Sequence, residues 1–220
     1  MQFIFDHLIA ILIAGVVILV LVMNQMRTLE DGLEDTSVYI AKNNTLDLAE
    51  MIESDLNMTL HRFDTDQDPF NWAVTTTDLE GRTTLFQLYR DSVDVSTATT
   101  HRIETRYRLN FVDSVYVNAI DSLGNSYIAS NPLFEVIREE CSYTTIPYTC
   151  LPADFDHAGS SAPWVKDFRI TPLQQDKSLA SNITEAHYLQ VSFIMSPPLQ
   201  TERQVVDKLH WSTLLQVQPF

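Results

Sequence analysis

The sequence predicts an α+β chain: one long N-terminal helix, transmembrane in its first half and amphipathic in its second, packed on a C-terminal antiparallel β domain. Three observations predict it. Leu8 to Met23 is an unbroken apolar run behind Phe3-Ile4-Phe5, and together they approach the roughly 20 apolar residues of a membrane-spanning helix. Beyond it, Leu29, Leu33, Ile40, Leu48, Ile52, Leu56 and Leu60 recur mostly four apart or at multiples of four, which is one face of a helix. After the turn-rich stretch Asp64–Pro69, short runs rich in Val, Ile, Thr, Tyr and Phe alternate with turn residues, the pattern of strands.

The elements follow in order. Residues 1–27 form an apolar anchor or assembly helix, 28–63 its amphipathic continuation, and 64–220 a β-rich extracytoplasmic domain. Glu30, Asp31, Glu34, Asp35, Asp47, Glu50 and Glu53 lie off the apolar stripe and make a solvated face. Gly32 and Asn43-Asn44 each lower helix propensity by up to about 1 kcal/mol against Ala, so a bend or break is expected near one of them. Candidate strands are Thr83–Tyr89, Arg102–Phe111, Ser114–Ile120, Ser126–Ala129, Val165–Ile170, Tyr188–Met195 and His210–Val217. Asp121–Asn125 supplies a hairpin turn. Leu133–Glu140 reads as a strand extension or a short helix. Pro152–Pro163 and Pro172–Asn182 read as exposed loops, where binding variation resides.

A carboxylate sits inside the apolar segment at Asp6. Such a charge costs on the order of 3 kcal/mol in a bilayer unless it finds a partner, and the natural partner is a positive α-amino terminus. Three readings compete. A cleaved secretory signal needs a basic n-region and a small-residue cleavage site, yet no Lys or Arg precedes Arg27 and Met23-Asn24-Gln25-Met26 lacks the site. A single-span anchor is the second reading, and a filament-subunit helix the third.

The filament reading rests on a resemblance. Asp6 and Gly15 stand nine apart in an apolar N-terminal helix. Leu48-Ala49-Glu50-Met51-Ile52-Glu53-Ser54-Asp55-Leu56 closes with an acid–Leu pair, and Ile103–Leu109 contains Tyr107-Arg108-Leu109. In these features the chain resembles type IV pilins and type II secretion pseudopilins, especially their minor subunits. Asp stands where that family usually has Glu, and the Pro common near the end of its apolar stretch is absent. Removal of Met1 would make Asp6 the fifth residue. The resemblance implies a structural subunit of an extracellular filament, assembled through Phe3, Phe5, Asp6, Leu8, Leu12, Gly15, Val16 and Leu19. Its partners would be copies of itself and a membrane assembly machinery. The chain would be a single-pass membrane protein before assembly and part of a cell-surface filament after it.

Composition narrows the alternatives. With 14 Lys and Arg against 29 Asp and Glu, the net charge is -15, which argues against nucleic-acid binding. Only 5 Gly occur, and no phosphate-cradling loop, G-x-S-x-G or H-E-x-x-H is present. No enzyme activity and no cofactor is expected. Cys141 and Cys150, the only cysteines, read as a disulfide closing a surface loop in an oxidising compartment. Two free thiols, or a metal site sharing His157, are the alternatives. Asp64, Asp66 and Asp68 imitate the start of a Ca2+ loop, but Pro69 occupies the place that needs Gly. They are weak metal candidates and read better as a solvated acidic turn.

Overall fold

The computed structural model describes residues 2–60, 72–94, 99–120, 124–143, 150–181, 185–197 and 209–216. A single helix, α1 (Gln2–Leu60), is followed by β1 (Trp72–Thr77), β2 (Thr83–Asp94), β3 (Thr99–Ile120), β4 (Ser126–Tyr143), β5 (Asp156–Ser160), β6 (Val165–Leu173), β7 (Tyr188–Met195) and β8 (Leu209–Gln216). The strands form one antiparallel sheet in the order β1-β2-β3-β4-β6-β7-β8, with β5 also paired to β4. The α+β expectation is therefore met. Asp64, Asp66 and Asp68 lie outside the described residues.

α1 runs through Gly32 and Asn43-Asn44 without the break that their low propensity allowed. Thr36 Oγ1 donates to the Gly32 carbonyl at 2.7 Å and Thr45 Oγ1 to the Ala41 carbonyl at 2.7 Å. Ser37, Ala41 and Thr45 are also buried, so packing on the domain holds the backbone around Asn43-Asn44, whereas Gly32 lies in the exposed part of the helix. The apolar stripe is only half buried. Leu48, Ile52 and Leu56 enter the core, whereas Leu29, Leu33 and Ile40 stay exposed. The helix docks through a face that mixes small and polar residues with Leu and Ile, about 100° around the axis from the Leu29–Ile40 line at 3.6 residues per turn.

The core collects those helix residues with Phe86, Leu88, Tyr107, Val136, Phe168, Val191 and Phe193. Each large side chain buried there contributes about 1.5–3 kcal/mol. β7 alternates strictly, Leu189, Val191, Phe193 and Met195 inward, as a strand with one covered face requires. The two runs predicted as Arg102–Phe111 and Ser114–Ile120 are one strand, β3, with a register shift between Phe111 and Asp113. A bulge of this kind bends a strand without ending it. Leu133–Glu140 is strand, continuous with Ser126–Ala129 in β4. β5 lies within the stretch expected to be loop, and β1 was not expected at all.

The sheet curls rather than lying flat. β6 pairs with β4 only at Phe134↔Val165, yet the Ile170 amide donates to Thr83 Oγ1 on β2 at 2.9 Å. Beyond the sheet, β3 and β4 continue as a two-stranded ribbon. From Asp113↔Leu133 to Ile120↔Ser126 they pair only with each other among the described residues.

Candidate assembly site and the clamp that supports it

The helix carries two distinct surfaces. Every side chain described from Ile9 to Leu33 is exposed, and the segment is long and apolar enough to cross a membrane. A helix apolar all round is stable only when something apolar surrounds it. Leu12, Val16 and Leu19 are each more than half exposed, and nothing lies within 4 Å of a Cβ placed on Gly15. At 3.6 residues per turn, Phe5, Leu8, Leu12, Gly15, Val16 and Leu19 fall on one side. Asp6, nine residues from Gly15 and hence two and a half turns away, falls on the other. Phe3, Phe5, Asp6 and Leu8 belong to the helix; their side chains lie outside the described part.

The second surface is where α1 meets the sheet, and its centre is ionic. Asp55 is only 4% exposed. It accepts from Arg138 Nε at 2.6 Å and Nη2 at 3.0 Å, and from the Tyr107 hydroxyl. Arg138 also contacts Glu140, which in turn accepts from Arg90 Nη2 at 3.0 Å. Burial pushes the Tyr107 hydroxyl well above its ordinary pKa, and the adjacent Asp55 carboxylate adds to that push. The hydrogen bond to Asp55 raises the Arg138 guanidinium further still. Both residues therefore remain protonated donors to a fixed carboxylate.

Asp55 closes the helical motif read from the sequence, and Tyr107 sits in the strand motif read from it. The fold brings the two into contact. Arg138 escaped the sequence reading, though a signal was present. Phe134, Val136 and Arg138 share the inward parity of β4, and an inward charge on a strand demands a partner. Asp55, flanked by the buried Ile52 and Leu56 on α1, is the matching anomaly.

The outer face of the sheet carries a second ionic group. Burial pushes the Glu139 carboxyl up, but hydrogen bonds from Arg106 and Arg108 outweigh this and hold it below the usual range. The Arg106 guanidinium stacks 3.7 Å from the Phe155 ring centroid. Phe155 follows five residues after Cys150, whose disulfide with Cys141 is formed with Cα atoms 6.3 Å apart. The disulfide reading is thus the one realised, and the free-thiol and metal alternatives fall. No group of three or more His, Cys, Asp and Glu among the described residues is placed to hold a metal ion.

Comparison with known protein families, with curated proteins and with solved structures returns no match.

Proposed function

We propose that this chain is a structural subunit of a pilus-like extracellular filament, held in the membrane by α1 before assembly. The observation that carries the reading is the continuity of α1. Its exposed apolar half runs without interruption into a half locked to the β domain by Asp55, Tyr107 and Arg138. A helix rigidly joined to its domain transmits any packing of its free half into a fixed orientation of that domain.

Assembly then follows from the two sides of the free half. Leu8, Leu12, Val16 and Leu19 supply an adhesive face, which gains only once the helix leaves lipid, since lipid tails are as apolar as Leu. Extraction by a membrane machinery is therefore part of the mechanism. Asp6, on the opposite side, meets the α-amino terminus of a different neighbour. Buried ion pairs of this type set register better than they add stability. The similarity to type IV pilins and pseudopilins supports the same reading.

The test is the Asp6→Ala variant expressed in cells, with sheared material inspected by electron microscopy and peptide mass spectrometry. The variant should insert in the membrane and yield markedly fewer filaments than the parent. Equal filament yield would refute the role of Asp6. A parent chain that stays in the membrane fraction without filaments would overturn assembly in favour of an anchored β domain.

A further inference from the structure

The ribbon formed by the distal halves of β3 and β4 has no structural role in the core. It leaves the sheet after Phe111 and Phe134 and reaches Ile120 and Ser126. A two-stranded hairpin alone in water is marginal, and this one exposes apolar side chains. Tyr116 is 70% exposed, Ile128 69% and Tyr127 52%. It is also nearly uncharged. Between Leu109 and Phe134 the only charged residues are Asp113 and Asp121, in a chain of net charge -15.

Its direction is fixed by the clamp. Arg90, paired in register with Ile103, reaches Met58 of α1, while Tyr107 reaches Met51 and Asp55. Moving along β3 from Ile103 to Tyr107 is therefore moving back along α1 toward its N-terminus. The ribbon projects toward the same end as the apolar half of the helix. Its reach matches. Along its length, through the bend at Phe111–Asp113, β3 spans at most about 43 Å from Tyr107 to Ile120 at roughly 3.3 Å per residue. From Met51 back to Arg27, the base that ends the apolar run, α1 extends about 36 Å at 1.5 Å per residue.

We propose that the β3–β4 ribbon is a membrane-contact element whose tip, with Tyr127 and Ile128, rests in the headgroup region of the bilayer that α1 crosses. Tyr and apolar side chains suit that interface. The scarcity of carboxylates on the ribbon spares it the repulsion that the rest of this acidic surface meets at anionic lipid. The contact gives the unassembled subunit a second foothold and sets the tilt of its domain over the membrane. The proposal rests on the membrane-spanning reading of α1, and the test separates the two.

The two cysteines are bonded to each other, so a single introduced thiol can be labelled selectively. The full chain is reconstituted in phosphatidylcholine vesicles, with an environment-sensitive fluorophore on Ile128→Cys, Leu179→Cys or Leu19→Cys. Leu179 is exposed beyond the end of β6 opposite Val165, the residue that meets Phe134 at the base of the ribbon. Quenching by lipid-borne nitroxides should be strong at position 19 with acyl-chain quenchers, strong at 128 with shallow quenchers, and several-fold weaker at 179. Quenching at 19 but not at 128 overturns the ribbon proposal alone. Absence of quenching at 19 overturns the membrane-spanning reading. Equal quenching at 128 and 179, or cross-linking of position 128 to a second copy in place of quenching, also overturns the proposal. Because Ile128 lies on the exposed ribbon, its substitution leaves the packed core intact.

Discussion

At the scale of single residues, Asp55 is the most exacting position in the chain. A buried carboxylate is tolerated only because Arg138 and Tyr107 both donate to it. Removing one partner of such a pair strands the other charge, which costs about 3–5 kcal/mol. Arg138→Met should therefore destabilise the chain by about 3 kcal/mol, the lower end because Arg138 retains some exposure. The double variant Asp55→Leu/Arg138→Met should recover much of that loss; denaturant unfolding in detergent micelles measures both. The outer-face carboxyls predict a pH dependence of opposite signs. Burial raises the pKa of Glu104 against the opposing Arg106 charge and Gln87 hydrogen bond, so the native state binds the extra proton and stability rises as pH falls through that raised value. Glu139 is held low, so its contribution is complete above the ordinary Glu range and is lost as pH falls through its depressed value. Thermal unfolding against pH should show a maximum on the acidic side of neutrality, and Glu104→Gln should remove the rise while leaving the acid fall. None of this pairing was legible in the sequence, which offered Asp55 and Tyr107 only as members of separate motifs, since partners 83 residues apart such as Asp55 and Arg138 meet only through the fold.

At the scale of elements, the fold overrides weak local preference in both directions. Gly32 sits inside α1 with nothing within 4 Å of a Cβ placed there, so it is retained for neither packing nor a turn. Gly32→Ala should stabilise the helix by about 0.5–1 kcal/mol, visible as greater helicity and a higher unfolding midpoint; a loss of stability would show that the added methyl meets a contact within the subunit, against the open space around Gly32. The apolar run and the stripe Leu48, Ile52, Leu56 made α1 legible, because periodicity survives wherever burial is real. Leu29, Leu33 and Ile40 share the same spacing without burial, so the pattern alone could not separate a face packed on its own domain from a face left outward. Strand existence was legible for β2, β3, β4, β6, β7 and β8. The fusion of two expected strands into β3 was not, because a bulge at Phe111–Asp113 resembles a turn when only residue types are read. β5, with the sequence Asp-His-Ala-Gly-Ser, has no strand composition and is held in place by pairing with β4 beside the disulfide.

At the scale of the whole molecule, charge and apolar surface oppose one another. Each copy carries -15, and a filament would bring many such copies close together. The apolar half of α1 favours that packing, while the acidic domain surfaces resist it. Charges separated by more than about 10 Å are largely screened at 0.1 M ionic strength, and the screening length shrinks to about 3 Å at 1 M. Burial of apolar surface has no comparable dependence on simple salt. Self-association through α1 should therefore strengthen as NaCl is raised from low to high concentration, whereas association through complementary charges would weaken. Sedimentation of purified chains diluted from detergent, followed over a salt series, distinguishes the two. Pelleted filaments that increase with salt place the attraction in the helix and the repulsion in the domain. Pelleting that decreases with salt would place the attraction in complementary charges between copies, and would leave the exposed apolar helix as a membrane anchor alone.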